Sequence, residues 1–250
     1  MKKTSFAFIL AIFFIASCKE KKIELTSAPL SDYWKPAVGK YITYRLDSTV
    51  PTNFGLSLTV RSYRVKDIVD AEIVDGLGRK AYRIYRTITD TNGVAPYKPS
   101  STFYTVPVGT EWIEHVDNNL RYMKLRWPIR DGFQWKGHSF IDAGSSNAGL
   151  QYLADWNFTY ENIGQPFTVL GKTFDNTISV LQIDDTDPPG PIFPDRIQIK
   201  KYGKEVYAKG IGLIYKEFLY YTHQPPNGSH ATDYFEDASY GVKLRVIDYN

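Results

Sequence analysis

Alternation of apolar and polar residues with a period of two runs through most of this chain and constrains its fold more than any other feature. Ile42, Tyr44 and Leu46 alternate with polar residues, and residues 196–200 and 242–246 repeat the pattern. Such alternation is typical of antiparallel strands with one buried and one solvated face. Outside its first segment the chain has no helical stripe of eleven or more residues. The sequence therefore predicts an all-β domain of about ten to thirteen strands, as a single antiparallel sandwich, a barrel or a strongly curved open sheet.

Turn residues separate the alternating runs. The polar groups at 75–78 and 117–119 predict hairpin loops, and Gly171-Lys172 predicts a further link between strands. Prolines crowd residues 187–194 and 224–228, which predicts exposed loops there.

Three other segments leave alternatives open. Residues 68–74 form a strand or a short helix, and residues 230–239 contain one or two further helical turns or none. Residues 143–149 are small and polar, which predicts a loop that could frame an opening.

The first residues have the composition of an export signal. Lys2 and Lys3 precede an uncharged run over residues 6–16, and the charged residues 19–22 end that run. The run is shorter than the roughly 20 apolar residues that a membrane-spanning helix needs. A basic start, a short apolar centre and a small-residue exit predict that residues 1–17 are a cleaved secretory signal peptide.

The chain contains one cysteine, Cys18, directly after this segment. The sequence Ile15-Ala16-Ser17-Cys18 resembles a bacterial lipobox. This resemblance implies a lipid on the Cys18 thiol, cleavage before Cys18 and acylation of the freed amine. The alternatives are an ordinary signal peptide with a chance cysteine and a buried N-terminal helix. One acyl chain binds a bilayer only marginally, whereas two or three hold a protein stably.

The predicted organisation is a signal peptide over residues 1–17, a lipidated Cys18 with a tether over residues 18–30, and one globular β domain over residues 31–250. A twelve-residue tether would reach roughly 40 Å when extended. Lys19 after the cysteine, by the sorting rule of enteric lipoproteins, would permit transfer to the outer membrane. The mostly basic run after Cys18 favours a domain that faces the periplasm, with display on the cell surface as the alternative.

Composition argues against several ligand classes. Loss of the signal peptide lowers the formal charge from +3 to +1, because Lys2 and Lys3 leave with it. A nearly neutral protein lacks the clustered positive charge that nucleic acids require, so no nucleic-acid partner is predicted. Gly210 and Gly212 begin a possible nucleotide motif, but its third glycine position is Tyr215. We expect no cofactor.

We also expect no metal site. Among the histidines His115, His138, His223 and His230, only the last two lie near each other, in a loop rich in proline and glycine. The acidic run at residues 184–187 lacks the spacing and the later glutamate of a calcium loop. Its simplest interpretation is a solvated turn.

The sequence does not define catalytic residues. It contains no Gly-x-Ser-x-Gly elbow, and a lipidated Cys18 could not serve as a nucleophile. Glu111 and Glu114 flank Trp112, but an offset of three places them on opposite faces of a strand. A pair of carboxylates brought together by the fold remains an alternative.

Aromatic residues are the one feature that suggests ligand binding. They could line a cavity for a small hydrophobic molecule or a glycan, or they could fill a large β core, which is the interpretation we favour. The residues concerned are Trp112, Trp127, Trp135, Trp156, Tyr152 and Tyr160.

Three stretches, at residues 33–48, 127–137 and 207–217, resemble, together with the lipobox, uncharacterised β-rich lipoproteins of the Bacteroidota. The resemblance implies an anchored β domain and brings no activity, catalytic residue or cofactor.

We therefore expect a non-enzymatic binding or interaction module, held in the bacterial envelope by its N-terminal acyl chains. The alternatives are an envelope hydrolase of glycans or esters and a structural subunit of an outer-membrane assembly. A binding protein predicts an aromatic cavity of several hundred Å³ with few carboxylates. A hydrolase predicts at least two titratable side chains at the floor of a cleft. A structural subunit predicts an exposed apolar patch.

Overall fold

Thirteen strands of this protein form one antiparallel sheet in the computed structural model, which describes residues 27–144 and 149–250. Two short 3-10 helices, Leu30–Asp32 and Gln151–Leu153, accompany the sheet. The strands are β1 (Tyr41–Thr52), β2 (Ser57–Val74), β3 (Lys80–Asp90), β4 (Lys98–Val108), β5 (Trp112–Asp117), β6 (Leu120–Arg126), β7 (Gln134–Lys136), β8 (Asn157–Val169), β9 (Lys172–Asp187), β10 (Gln198–Ala208), β11 (Gly212–Gln224), β12 (Tyr234–Phe235) and β13 (Tyr240–Tyr249). The predicted all-β class and strand number are confirmed.

The sheet is nearly closed into a barrel. Its strand order is β6-β5-β4-β3-β2-β1-β13-β11-β10-β9-β8-β7, and β12 pairs with β11 outside this path. The two end strands, β6 and β7, lie close to each other. The Met123 N–H donates to the Gly137 carbonyl (2.8 Å), and the Trp135 indole N–H donates to the Met123 carbonyl (2.9 Å). Closure of this kind leaves few unpaired strand edges.

The turn signals correspond to the observed connections. The loops at 75–78, 117–119 and 170–171 join consecutive antiparallel strands, as predicted. Residues 68–74 belong to β2, so the short helix considered there is wrong. Residues 230–239 contain the short strand β12 and no helix.

One part of the interior is filled by an aromatic core. Trp135, Trp156, Phe158 and Tyr160 are almost completely buried, and the ring centroids of Trp135 and Tyr160 lie 4.6 Å apart. Burial of each such side chain stabilises the fold by about 1.5–3 kcal/mol. Packing is close enough that a Cβ atom on Gly137 would lie 2.4 Å from the Phe158 ring. This core leaves no space for a ligand around Gly137.

The first described residues already contact the sheet. The Ser27 hydroxyl donates to the Ile129 carbonyl (3.1 Å) and accepts from the Ile129 N–H (2.8 Å). Leu30 is buried in the aromatic core. The predicted signal peptide and Cys18 lie outside the described residues, as do residues 145–148 of the predicted loop at 143–149. Within the described ranges, no helix has the length and apolar character needed to cross a bilayer.

Candidate functional site

A cavity inside the sheet, here called the charged cavity, is the candidate site. It has an empty volume of about 740 Å³, part of which is open to solvent. Strands β1 to β6, β10, β11 and β13 contribute to its wall, together with Trp34 from the segment before β1. Aromatic side chains line part of it, namely Trp34, Tyr44, Phe103 and Tyr207. Seven titratable side chains line the rest: Asp67, Arg86, His115, Asp117, Lys124, Glu205 and Lys216.

Glu205 lies at the centre of the charged groups. Its side chain is almost fully buried, with Lys124 Nζ 2.7 Å from Oε1, and it accepts a 2.6 Å hydrogen bond from the Tyr207 hydroxyl at Oε2. Burial by itself would raise the pKa of Glu205, but the charges of Lys124 and Lys216 and these hydrogen bonds lower it to about 2. Glu205 is therefore a fixed anion at neutral pH.

A second ion pair closes another part of the wall. The Arg86 guanidinium donates two hydrogen bonds of 2.6 Å to the two carboxylate oxygens of Asp67. Such a bidentate pair is among the strongest that side chains form. Burial would lower the pKa of Arg86, but the charge and hydrogen bonds of Asp67 raise it. Both charges of this pair are compensated.

Lys216 is less well paired than the other cations of the cavity. Its Nζ lies 3.9 Å from Glu205 Oε1, the oxygen that already accepts from Lys124, and it makes no hydrogen bond to a described residue. Burial lowers the pKa of Lys216 to about 8, with a further contribution from the like charge of Lys124. Lys216 is still mostly protonated at pH 7, so the cavity contains an ammonium group whose ion pair with Glu205, at 3.9 Å, lacks a hydrogen bond.

The remaining titratable side chains of the cavity are His115 and Asp117. Burial, followed by the charge of Lys124, lowers the pKa of His115 well below its usual range, so that the ring is neutral at pH 7. The ring packs against Phe103 and Tyr122. Asp117 makes no hydrogen bond or ion pair with the side chains that the structure describes.

Two polar atoms on the cavity wall have no hydrogen-bond partner among the described residues. They are the hydroxyl of Thr105, a residue that is 1% exposed, and the indole N–H of Trp34. Buried polar atoms in folded proteins almost always have a partner, and an exception calls for a specific explanation such as a bound molecule.

A second, largely apolar cavity adjoins the first. The two share Trp34, Tyr44, Asp67 and Phe103 as wall residues. The second cavity has an empty volume of about 530 Å³, also partly open to solvent, and its aliphatic side chains include Ile42, Val69, Ile84 and Ile211. The first cavity therefore carries most of the titratable side chains, and the wall of the second is mainly apolar.

None of the aromatic residues that the sequence suggested for a binding site lines either cavity. Trp135, Trp156 and Tyr160 form the aromatic core, Trp112 and Tyr152 pack against it, and Trp127 is 40% exposed. The interpretation of these residues as core is confirmed for five of the six. The aromatic residues of the charged cavity were missed because nothing in their local sequence distinguishes them from aromatic residues of the core.

Glu111 and Glu114 do not form a carboxylate pair, which agrees with the prediction from their offset of three residues. Glu111 is exposed, whereas Glu114 is 1% exposed on the face of β5 opposite to Ile113 and His115. We call the contacts of Glu114 the outer network. It comprises Asp75, Arg79, Trp112, Glu114 and Arg121, joined by hydrogen bonds that include Arg79 Nη2 to Glu114 (2.7 Å) and Trp112 Nε1 to Glu114 (2.9 Å).

The four histidines lie in different environments. His138 is buried, with Nδ1 2.9 Å from the Leu153 carbonyl, and burial lowers its pKa to about 4. His223 pairs with Asp233 (2.8 Å), and His230 stacks on Tyr234. The described residues contain no group of three or more possible metal ligands. The carboxylates of the 184–187 run are exposed at the end of β9.

Comparison with known proteins adds little to this geometry. No family model matches the chain, and the search of curated proteins also gives no match. Among solved structures, the chain is a distant match to a Bacteroides fragilis NCTC 9343 protein described as a candidate exported protein with a YmcC-like fold. The sequences are 15% identical, the match covers 86% of this chain and 99% of that chain, and the TM-score is 0.30. A TM-score this low supports no argument about function.

Proposed function

We propose that this protein is a lipid-anchored binding protein of the bacterial envelope that holds a small molecule in the charged cavity without transforming it. The observation that carries the binding role is a partly open cavity on which seven titratable and four aromatic side chains converge.

The anchoring part of the proposal rests on the sequence. Acyl chains on Cys18 would hold the domain at the outer membrane, facing the periplasm. Residues 19–26 would remain as a tether, because Ser27 already packs on the sheet. A ligand reaching the cavity would then come from the periplasm or from the lipid surface.

A hydrolase is the second candidate, because several titratable side chains meet in the cavity, as this class predicts. Two observations favour binding instead. The low pKa of Glu205 makes it a weak base and keeps it from donating a proton near pH 7. The neutral His115 ring makes no hydrogen bond to a nucleophile or to an orienting carboxylate among the described residues. These groups therefore lack the mutual contacts of a catalytic set.

Native mass spectrometry of the full-length protein, expressed in a bacterial host, tests the binding role. We expect a co-purified small molecule on the parent protein and its loss from Leu213→Trp, which narrows the cavity. Leu56→Trp is the matched control, since Leu56 is exposed in the β1–β2 turn. A ligand that is absent from the parent, or retained equally by both variants, would contradict binding in this cavity.

Labelling with palmitate tests the anchor separately. We expect label on the parent protein and none on Cys18→Ala, which should also leave the membrane fraction. An unlabelled parent, or a Cys18→Ala variant that fractionates with membranes as the parent does, would remove the anchor and leave the cavity argument intact.

A further inference from the structure

Exposed apolar side chains lie at the end of the sheet where the tether meets the domain. Leu77, in the β2–β3 turn, is 69% exposed, and Val74, at the end of β2, is 72% exposed. Trp127, directly after β6, is 40% exposed. A single exposed apolar side chain is normal on a protein surface. The shared position of these three is what calls for an explanation.

Contacts between neighbouring segments place these side chains on one rim of the sheet. The Trp127 N–H donates to the Glu111 carbonyl in the β4–β5 turn (2.7 Å). Arg79, two residues after Leu77, donates to Glu114 (2.7 Å) at the start of the neighbouring strand β5. The two turns and the segment after β6 therefore lie side by side. We call residues 72–80, 109–111 and 126–131 the anchor-side rim.

The tether begins at this rim. Ser27 exchanges two hydrogen bonds with the backbone of Ile129, two residues after Trp127. With a lipid on Cys18, the segment 19–26 would separate the acyl chains from Ser27 and would span at most roughly 30 Å. Strand β2, with 18 residues at about 3.3 Å each, is up to roughly twice as long. The bilayer that holds Cys18 is therefore within reach of the rim, whereas Phe54, in the turn at the other end of β2, lies farther away.

The exposed charges of the rim balance each other. A balanced surface is neither attracted to anionic lipids nor repelled by them, so apolar contact would have to drive any docking on a membrane. Tryptophan is enriched where proteins meet the membrane–water interface, and leucine is typical of faces that lie in it. The exposed basic residues are Lys80, Arg126 and Arg130, and the exposed acidic residues are Glu72, Glu111 and Asp131.

We propose that the anchor-side rim docks on the surface of the bilayer that holds Cys18, with Leu77 and Trp127 in the headgroup region. The domain then stands with the β1–β2 turn directed away from the membrane. This inference rests on the lipid anchor of the proposed function and adds an orientation to it. The short tether gives the rim a high effective concentration at the bilayer, so shallow insertion of a few side chains is sufficient.

Fluorescence quenching in phosphatidylcholine vesicles tests this orientation. The full-length lipidated protein is reconstituted as Leu77→Cys or as Phe54→Cys, and a fluorophore is attached to the new thiol. Cys18 is the only cysteine of the chain, and a lipidated thiol does not react. Phe54→Cys is the matched control, because Phe54 also lies in a hairpin turn and is 89% exposed.

We expect a nitroxide on the lipid acyl chains to quench the label at position 77 several-fold more strongly than the label at position 54. Iodide in the aqueous phase should give the reverse order. Equal quenching at the two positions, or stronger lipid quenching at position 54, would overturn the inference.

A label on the neighbouring turn assigns the docking to apolar side chains. Thr110→Cys places the fluorophore in the exposed β4–β5 turn. Adding Leu77→Asp should lower its quenching by the lipid nitroxide several-fold, since a carboxylate resists entry into the interface, whereas adding Phe54→Asp should not change it. Strong salt should also leave this quenching unchanged, because the charges of the rim balance. Equal effects of the two aspartates, or loss of quenching in strong salt, would contradict apolar docking.

Flotation of the parent protein with the vesicles separates this inference from the anchor. A parent that floats while the label at position 77 stays in water would overturn the docking and leave both the anchor and the charged cavity intact. A parent that does not float would overturn the anchor, and the docking with it.

Discussion

Two buried carboxylates in this protein have similar partners and very different surroundings. Glu114, in the outer network, and Glu205, in the charged cavity, are each 1% exposed. Each contacts two basic side chains and one aromatic donor, Trp112 for Glu114 and Tyr207 for Glu205. In the outer network both basic side chains are arginines that hydrogen-bond the carboxylate, whereas in the cavity one of the two lysines lies 3.9 Å away beside empty space.

This difference indicates how a structural carboxylate can be distinguished from one that belongs to a binding site. The outer network satisfies its own groups, so Glu114 needs nothing more than the fold supplies. In the cavity, the Lys216 ammonium makes no hydrogen bond to a described residue and lies 3.9 Å from Glu205 Oε1. A group with free hydrogen-bond capacity beside an open space can pair with water or with a ligand.

The largest expected effect comes from neutralising each carboxylate in turn. Glu205→Gln should lower the free energy of unfolding by about 3–5 kcal/mol, because it leaves Lys124, whose side chain is only 14% exposed, without its hydrogen-bonded counter-charge. Glu114→Gln should cost only about 1–3 kcal/mol, since Arg79 keeps Asp75 and both arginines reach solvent. Urea denaturation measures both values. Equal costs would remove the distinction between the two regions.

Acid should weaken the interior pair in a defined range. The pKa of Glu205 in the folded protein, about 2, is below its ordinary value of 4.5, so its stabilisation is present above pH 4.5 and is lost as the pH falls toward 2. The expected loss is on the order of 3 kcal/mol. The difference in unfolding free energy between parent and Glu205→Gln should shrink over this range.

The outer network provides the control for this acid effect. The pKa of Asp75 is also lowered to about 2, chiefly by hydrogen bonds from Arg79, so Glu205→Gln should retain part of the acid sensitivity of the parent. A difference between parent and variant that does not depend on pH between 4.5 and 2 would contradict the assignment to Glu205.

Lys216 should have the opposite dependence, at alkaline pH. The pKa of Lys216 in the folded protein, about 8, is below its ordinary 10.5, so the unfolded chain binds the extra proton and stability rises with pH between these values. After allowance for its partial exposure, the gain should be on the order of 1–2 kcal/mol. Lys216→Met should lack this gain. The tyrosines ionise at similar pH in both proteins, so their contribution to the free energy of unfolding cancels when the variant is compared with the parent.

The smallest effect is expected on the surface. Arg83 and Asp70 form a 2.8 Å ion pair on exposed parts of β2 and β3. Exposed pairs contribute roughly 0–1 kcal/mol, so Arg83→Ala should change the free energy of unfolding by less than about 1 kcal/mol. A cost near that of Glu205→Gln would mean that burial does not set the ranking of these ion pairs.

Much of the strand pattern could be predicted from the sequence. The alternation in β1 and β13 and the turn signals at 75–78 and 117–119 identify strands and hairpins because they depend on neighbouring residues. The charged cavity could not be predicted in this way. Lys124 and Glu205 are 81 positions apart in the chain and meet only because β6 and β10 lie in opposite walls of the nearly closed sheet.

An irregularity in the pairing of β10 with β11 made the residues of the charged cavity harder to predict from the sequence. A bulge pairs Val206 with Tyr215 but Tyr207 with Leu213, so Ile214 is an extra residue in β11. Strict alternation from Leu213 would place Tyr215 in the cavity and Lys216 outside, but the bulge reverses the faces and Lys216 lines the cavity with Leu213.

The sequence by itself determined that this chain folds into antiparallel strands, because side-chain alternation and turn chemistry act between near neighbours. Its N-terminal segment also carries the prediction of export and of a lipid on Cys18. Only the tertiary structure decided how far the sheet closes, which faces point inward past the bulges, and which charges share the interior. These outcomes depend on the pairing of β1 with β13 and of β13 with β11, contacts that no local pattern specifies.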